Sequence, residues 1–422
     1  MREMKDSGIE WIGQIPNSWT VRRGKTLFVN TKYIPGKLSS NYDRLSLTLK
    51  GVLPRKKDDS DGLQPKDFDT YQLLRENELV FKLIDLQNVS TSRVGLAHAT
   101  GLVSPAYIVL HANEEILPAF AEKFYLMMWY REIFNSLGDN GVRSSLNVSD
   151  LLNIPVCYPK MEEQIFLTNY LDTKCSEIDA TAEDIQKEID LLEEYKKSVI
   201  TEAVTKGLNP DAEMKDSGVE WIGEIPKHWE IIRIGYILGE IDRRSITGME
   251  ESLSVSQVLG VVPSSQIAVP STASTMVGQK IVEPGELVLN KLKAHLGVCF
   301  VSNYKGLVSP DYAVYKANEK VKSKLLEYVF HTASCIWEFK KYITGVGQGL
   351  SRLYTKDLFR INVALPDMLE QQQIVSYLDS KCSEIDSLIA DKKRQLDILA
   401  DYKKSLIYEY VTGKKDVPVN DF

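Results

Sequence analysis

The side chains best suited to chemistry in this sequence sit in short polar loops, and the chemistry they fit is hydrogen bonding. LKGVLPRKKDDSDG offers Lys50, Arg55, Lys56 and Lys57. QNVSTSRVG offers Gln87, Asn88, Ser90, Thr91, Ser92 and Arg93, and GVRSSLN offers Arg143, Ser144 and Asn147. Further along stand Arg243, Arg244, Ser256, Gln257, Asn290, Lys291 and Lys293, then Gln348 to Arg352. Arg, Lys, Asn and Gln can pair with base edges, while Ser and Thr hold phosphates. Any one such run is an ordinary solvated loop. Two of them, Asn88 to Arg93 and Asn290 to Lys293, both follow the tripeptide Glu-Leu-Val. That recurrence makes the group a candidate nucleic-acid surface.

No catalytic centre accompanies these loops. There is no Asn/Asp-Pro-Pro-aromatic tetrapeptide for amino-methyl transfer and no G-x-x-x-x-G-K-S/T phosphate loop. GVGQG (345–349) is glycine-rich but lacks a strand–turn–helix setting, so it reads as a loop. Asp211, Glu213 and Lys215 superficially form a nuclease-like carboxylate–lysine set. Their spacing is too tight for separate strands, and they lie at a domain seam. The five histidines (98, 111, 228, 295, 331) show no metal spacing. The five cysteines (157, 175, 299, 335, 382) form neither a C-x-x-C nor a Cys/His cluster, which predicts reduced thiols in a cytoplasm.

Composition agrees with a globular chain: 422 residues, 43% hydrophobic and 26% charged, enough for two or three domains. No apolar run approaches the ~18 residues of a membrane span, and MREMKDSG lacks a signal-peptide core. The net charge of −7 does not exclude nucleic acid, because residues 161–205 carry 12 acids against 4 bases. Residues 1–160 carry 20 bases against 18 acids, which leaves basic patches available.

What positions the loops is a tandem repeat. MKDSGIEWIGQIPNSW from Met4 returns as MKDSGVEWIGEIPKHW from Met214, with 12 of 16 positions identical. GLVSP at 101–105 recurs at 306–310, and ELV at 78–80 recurs at 286–288. Residues 159–207 and 366–414 align without a gap at 24 identities in 49. The seam falls at Asn209-Pro210-Asp211, a natural breaker. Residues of about 21–145 and 231–350 share little beyond ELV and GLVSP, with a Leu-x-x-x-Asp-Leu pattern just after each, at 146–151 and 353–358. Copies that diverge mainly in their globular parts suit two different targets. The predicted domains are 1–158, 159–208 (helical), 209–365 and 366–422 (helical).

The helical segments carry heptad seams. Ile178, Ala182, Ile185, Ile189, Leu192, Lys196, Val199 and Ala203 form the first. Ile385, Ile389, Lys392, Leu396, Leu399, Lys403, Leu406 and Tyr410 form the second. Such spacing predicts a coiled coil, with Lys196 and Lys403 fixing register. Two such helices in one chain pack most simply antiparallel, giving a pseudo-twofold, pseudo-cyclic arrangement. Each could reach roughly 65 Å if continuous, although Leu-Asp before Thr173 and Ser380 predicts a break there.

Between the helices, ELVFKLI, GLVSPAYIVL, ELVLNKL and GLVSPDYAVY read as strands, with helices predicted over 117–137 and 322–344. Each globular part is therefore mixed α/β (α+β), with Met127, Met128 and Trp129 in the core. Trp11, Trp19, Trp221 and Trp229 are expected to anchor domain to helix rather than stack on bases.

These features together resemble the DNA-specificity subunits of type I restriction–modification enzymes. The resemblance rests on the MKDSG-I/V-EWIG-x-IP-x-x-W openings, the VTKGLNPD seam, GLVSP, and the P-x-M-x-EQ…YLD…EID…E/DYKKS helices, and covers nearly the whole chain. It implies two target-recognition domains, each reading one half of a split, asymmetric double-stranded DNA site. It implies helices that set the spacer and dock two methyltransferase subunits carrying S-adenosylmethionine, which flip and methylate adenine. Restriction/motor subunits using ATP and Mg would add cleavage. This chain would hold no cofactor and act as a cytoplasmic guide without chemistry of its own, in phage defence. Because the recognition domains are the variable part of such families, the resemblance does not supply DNA-contacting residues. Two other readings stay open: the specificity subunit of a related two-subunit methylating nuclease, and a coiled-coil adaptor with two protein-binding heads.

Overall fold

The computed structural model describes residues 2–56, 68–86, 91–137, 145–267, 276–343 and 352–418. They divide into two compact units: residues 1–185 with 394–422, and residues 186–393. The division cuts through both long helices, because each globular fold packs with the two helix segments beside it.

In unit 1 the opening motif forms a hairpin, β1 (Met4–Asp6) with β2 (Gln14–Pro16). β3 (Thr20–Arg23) follows, then β4 (Phe28–Asn30), β5 (Arg44–Thr48), β6 (Gly51–Arg55), β7 (Gln72–Leu74) and β8 (Leu79–Phe81). Next come β9 (Val94–Leu96), β10 (Gly101–Val103), β11 (Ile108–Ala112), α1 (Pro118–Tyr130), α2 (Ile133–Leu137), α3 (Val148–Asn153) and β12 (Pro155–Tyr158). α4 (Met161–Lys206) leaves the domain. Two four-stranded sheets result, ordered β4-β11-β8-β9 and β6-β5-β10-β7, while β12 pairs with β3.

Unit 2 repeats this plan. It contains β13 (Met214–Asp216), β14 (Glu224–Pro226), β15 (Glu230–Arg233), β16 (Leu238–Ile241), β17 (Leu253–Ser256), β18 (Gly260–Pro263) and β19 (Lys280–Val282). β20 (Leu287–Asn290), β21 (Cys299–Val301), β22 (Gly306–Val308) and β23 (Tyr312–Ala317) complete the sheets. Then come α5 (Ser323–His331), α6 (Ala333–Tyr342), α7 (Thr355–Leu358), β24 (Asn362–Leu365) and α8 (Met368–Val411). The order β16-β23-β20-β21 matches that of the first sheet in unit 1, and β15–β24 matches β3–β12. Stretches with little sequence in common therefore share one topology.

The motifs the copies do share turn out to be framework. In GLVSP, a Cβ on Gly101 would come 2.7 Å from Asp43 O, and one on Gly306 would come 2.4 Å from Glu251 O. Only glycine lets the next residue donate to that carbonyl, Leu102 N to Asp43 O at 2.8 Å and Leu307 N to Glu251 O at 2.7 Å. In ELV, the Glu78 carboxylate accepts from Arg75 N at 2.8 Å, and Glu286 accepts from Glu283 N at 2.9 Å. In the EQ pair, Gln164 donates to Glu115 O and Pro159 O and accepts from Leu117 N. Gln371 makes the same three bonds, to Lys320 O, Pro366 O and Lys322 N. Both glutamines are buried, so they satisfy backbone groups that water cannot reach.

The opening tryptophans are anchors of the same kind. Trp19 and Trp229 are buried, and each indole N–H donates to a glutamate at the head of a long helix, Glu163 and Glu370, at 3.2 Å. Trp11 packs on Phe124 with ring centroids 5.9 Å apart, and Trp221 packs against the unit 2 core.

Each long helix ends on one of these anchors. Gly207 (φ +75°) follows α4 and lies against Trp229, and Gly413 (φ +68°) follows α8 and lies against Trp19 and Pro16. The gapless sequence alignment sets Gly207 opposite Lys414, but the structure sets it opposite Gly413, because only glycine takes the left-handed cap without strain. A Cβ on Gly413 would stand 2.4 Å from Pro16 Cδ, whereas one on Gly207 meets only the end of the Glu370 side chain at 3.0 Å. Gly413→Ala is expected to cost about 2–4 kcal/mol, from the positive φ and overpacking together. Gly207→Ala should cost roughly 1 kcal/mol. Denaturant unfolding of the two variants checks the order.

The helices run antiparallel within each unit. In unit 1 Lys403 Nζ meets both carboxylate oxygens of Asp179 at 2.7 Å, and the Tyr410 ring packs tilted against Tyr170 with centroids 4.9 Å apart. In unit 2 Lys196 meets Asp386 at 2.7 Å, and Lys392 pairs with Glu188. On the seam, Ile178, Ile189, Val199, Ile385, Ile389 and Leu406 are buried, and Ile185, Leu192, Leu396 and Leu399 are half-buried. The lysine tips reach the rim, where such pairs contribute under about 1 kcal/mol and act mainly on register.

Three expectations need correcting. Neither long helix breaks at Leu-Asp: Leu171 and Leu378 are buried in the seam, and Thr173 Oγ1 donates back to Asn169 O at 2.9 Å instead of capping a new start. The helix predicted over 117–137 breaks at Arg131 and Glu132, the latter at φ 57°. The one over 322–344 breaks at Thr332, whose hydroxyl accepts from Cys335 N and starts α6. GVGQG lies outside the described residues.

Candidate nucleic-acid interface

In unit 2, polar side chains converge where β16, β19 and the end of β20 meet. Lys280 sits on β19 with its chain buried and its ammonium 3.5 Å from Glu240 and 3.6 Å from Asp242. Arg244 pairs with Asp242 at 3.0 Å and donates to Gly278 O at 3.1 Å. Arg243 pairs with Glu286. The Asn290 side chain accepts from Leu292 N and Lys293 N, which turns the chain into a 3-10 segment carrying Lys291 and Lys293. Burial, and then the neighbouring Lys280, hold the Lys291 ammonium below the usual lysine range. Arg352 comes in from beyond α6 and pairs with Asp311 at 3.4 Å.

Arg243, Arg244, Lys291 and Arg352, widely spaced in sequence, thus share one neighbourhood, although most of their charge is balanced by acids. Lys280 and its acidic partners escaped sequence reasoning, since a lone Lys in GQKIVEPG carries no periodic signal. Asn290 is buried, and its Oδ1 is occupied as a helix cap. Ser256 holds the β17–β18 turn by accepting from Val258 N and Leu259 N at 3.2 Å, while Gln257 at its tip is exposed. Lys293 is exposed.

Unit 1 arranges its polar groups differently. Arg44 and Arg55 are direct cross-strand partners on β5 and β6, and the Arg44 guanidinium lies 5.8 Å from the Phe68 ring. Lys56 is exposed, and Lys50 at the β5–β6 turn reaches Glu183 on α4 at 3.5 Å. Thr91 accepts from Lys82 Nζ at 3.0 Å. Arg93 is a correction: its side chain is 0% exposed and donates to the carbonyls of Lys82, Ile84 and Asp85. A guanidinium spent on three backbone carbonyls shapes the loop and cannot also read a base edge. Asn147 is likewise occupied, in a capping box with Asp150. Burial raises the Tyr107 phenol, with Tyr71 adding to it and Arg44 and Arg93 opposing. Lys57, Asn88, Ser90, Arg143 and Gln348 lie outside the described residues.

Each unit also has an open cleft between the head of one long helix and the chain leaving the other. In unit 2 it measures about 790 Å3 and is lined by Tyr195, Glu202, Lys206, Leu208, Met214 and Tyr377. In unit 1 it measures about 420 Å3 and is lined by Phe166, Tyr170, Lys174, Glu177 and Val417. Tyr170 and Tyr377 are equivalent in the repeat.

Residues 271–397 match the family model described as the type I restriction modification DNA specificity domain. The chain is 26% identical over 305 residues to the putative type I restriction enzyme MjaX specificity subunit of Methanocaldococcus jannaschii, covering 69% of this chain and 68% of that one. It is 24% identical to the MjaVIII specificity subunit of the same organism, covering 62% of each. It is 19% identical to the EcoDI specificity subunit of Escherichia coli, covering 95% of this chain and 90% of that one. The chain is thus similar to specificity subunits of type I restriction enzymes.

The HsdS subunit from Thermoanaerobacter tengcongensis shares the fold of this chain, with a TM-score of 0.51 and 16% identity over 95% of this chain and 98% of that one. A chain from a study of assembly and conformational transition in the type I R-M system superposes with a TM-score of 0.68 at 14% identity, over 95% and 99%. Nothing among these relatives supports a two-subunit methylating nuclease or a protein-binding adaptor. Among the described residues, no helix is long and apolar enough to cross a membrane.

Proposed function

We propose that each globular fold reads one half of a split, asymmetric double-stranded DNA site, and that α4 and α8 set the unspecified spacer. The observation that carries this is the contrast between the copies. GLVSP, ELV, EQ and the opening tryptophans preserve one framework by named hydrogen bonds, while the loops on that framework differ in residue and charge. Arg44 and Arg55 are cross-strand partners on β5 and β6 in unit 1, whereas in unit 2 Arg244 and Lys280 share Asp242 and Arg243 pairs with Glu286. Two copies of one reader have no reason to diverge there. Two readers of different sequences do.

The matching clefts support docking of two copies of one partner, the methyltransferase subunit, which brings S-adenosylmethionine and the base-flipping chemistry. Restriction/motor subunits bring ATP and Mg. This chain then contributes no reacting group and acts in the cytoplasm.

Methylation-aware sequencing of the source genome is expected to show one split adenine-methylated motif that vanishes when this chain is deleted. Binding of the assembled methyltransferase complex to that motif should fall steeply with salt, by about 10^3 or more between 50 and 200 mM if six or more phosphates are neutralised. Salt-independent binding, or a contiguous motif, would overturn the reading.

A further inference from the structure

One feature of both units is not accounted for by basic loops. Large apolar side chains project into solvent from the connection that leaves the first strand of the main sheet. In unit 2 this connection joins β16 to β17, and Ile246 and Met249 are 89% and 88% exposed. They are held there by a tightly bonded turn. Ser245 N donates to Gln279 O at 2.9 Å, and Ser245 Oγ accepts from Gly248 N at 2.7 Å and donates to Glu250 at 2.6 Å. In unit 1 the equivalent connection joins β4 to β5, and Tyr33, Ile34 and Leu38 are exposed. The two connections are anchored alike, by Leu73 N to Tyr33 O and Ile281 N to Arg243 O, each at 2.8 Å. Each places arginine beside the apolar group. The Arg75 guanidinium stands 5.6 Å from the Tyr33 ring, and Arg243 and Arg244 immediately precede the Ile246 turn.

We propose that these turns are apolar probes that contact the bases of each half-site, against thymine methyl groups or between base steps. The proposal rests on the split-site reading. Bulky hydrophobes grouped on a fixed, solvent-facing turn are the kind of surface that a complex buries. The choice of DNA over a protein partner comes from comparing the copies. The clefts at the helix ends keep an equivalent tyrosine, as a site for two copies of one partner would. The projecting turns keep their place and anchor but change their residues, from Tyr-Ile-x-x-x-Leu to Ile-x-x-Met. That is the behaviour of a surface whose two targets differ. Side chains of this type meet thymine methyls in the major groove and wedge between base steps in the minor groove.

The test uses the full chain assembled with its methyltransferase partner. The variant is Ile246→Ser with Met249→Ser, and both positions are too exposed for the exchange to disturb the core. Affinity is measured on duplexes carrying the methylated motif and on duplexes altered base by base in each half. The expected result is a loss of about tenfold or more on the intact motif. Discrimination should flatten at one or two positions of a single half-site and stay unchanged in the other half. Tyr33→Ser with Ile34→Ser should do the same to the opposite half. Unchanged affinity and discrimination, within twofold, would overturn the proposal. So would weakened assembly with the methyltransferase while base preference is retained, which would make the turns protein contacts. If the wild-type complex recognises no split motif, the split-site reading fails, and the proposal with it. If the motif is present and the variants are silent, only the probes fail.

Discussion

Replacing Trp229 with alanine is expected to destabilise unit 2 by about 3–5 kcal/mol, the usual cost of emptying a fully buried aromatic site. The indole is buried between the cap glycine Gly207 and the unit 2 core, and its N–H engages Glu370 on α8. Removing it detaches the opening hairpin from both long helices at once. Glu370 keeps His228 as a partner at 2.7 Å, so no buried carboxylate is orphaned and the loss is one of packing. Trp229→Phe, which retains most of the apolar volume, should recover more than half. Trp19→Ala is the equivalent test in unit 1, where Glu163 retains Arg2. Partly buried Trp221 should matter less. Denaturant unfolding of the full chain checks the series. A loss under about 1 kcal/mol for Trp229→Ala would deny the tryptophan its anchoring role.

Exchanging residues 1–158 for the matching stretch of a type I specificity subunit is expected to replace one half of the methylated motif outright and leave the other half untouched. The basis is internal to each unit. Gln164 and Trp19 connect the globular fold to α4 through bonds that Gln371 and Trp229 repeat with α8. A foreign domain that keeps the tryptophan for Glu163 and presents the same backbone groups to Gln164 can therefore be mounted without altering the remaining fold. The effect on specificity should be all or none, because each base pair misread costs about 1–3 kcal/mol and a whole half-site contains several. Motif sequencing in a host carrying the hybrid reports the outcome. Change in both halves, or in neither, would contradict two independent readers.

Much of the architecture was legible in the sequence because repetition and periodicity are local signals. The doubled opening, the heptad seams and the GLVSP strands each show in the spacing of residues along the chain. Helix continuity was misjudged for a physical reason. Leu171-Asp172 and Leu378-Asp379 resemble breakers when read alone, but the buried leucines belong to the seam and hold the helix through them. The breaks at Glu132 and Thr332 depend on how the helices turn over a sheet, which no local pattern reveals.

The candidate surface was less legible. Arg93 and Asn290 have the right chemistry for base edges, yet tertiary structure spends one on backbone carbonyls and the other on a cap. Ile246 and Met249 were passed over because an apolar residue in a loop implies burial, and only the fold shows them facing water.

By itself the sequence determined that there are two copies of one module, where each begins, and which helix faces meet. Those properties follow from spacing along the chain. Only the tertiary structure decided which polar side chains are already spent. A hydrogen bond or ion pair commits a group through neighbours far away in sequence, as Lys280 draws together Glu240 and Asp242 and as Trp19 meets Gly413. What a loop can offer a partner is what such bonds leave over, and that remainder exists only once the chain has folded.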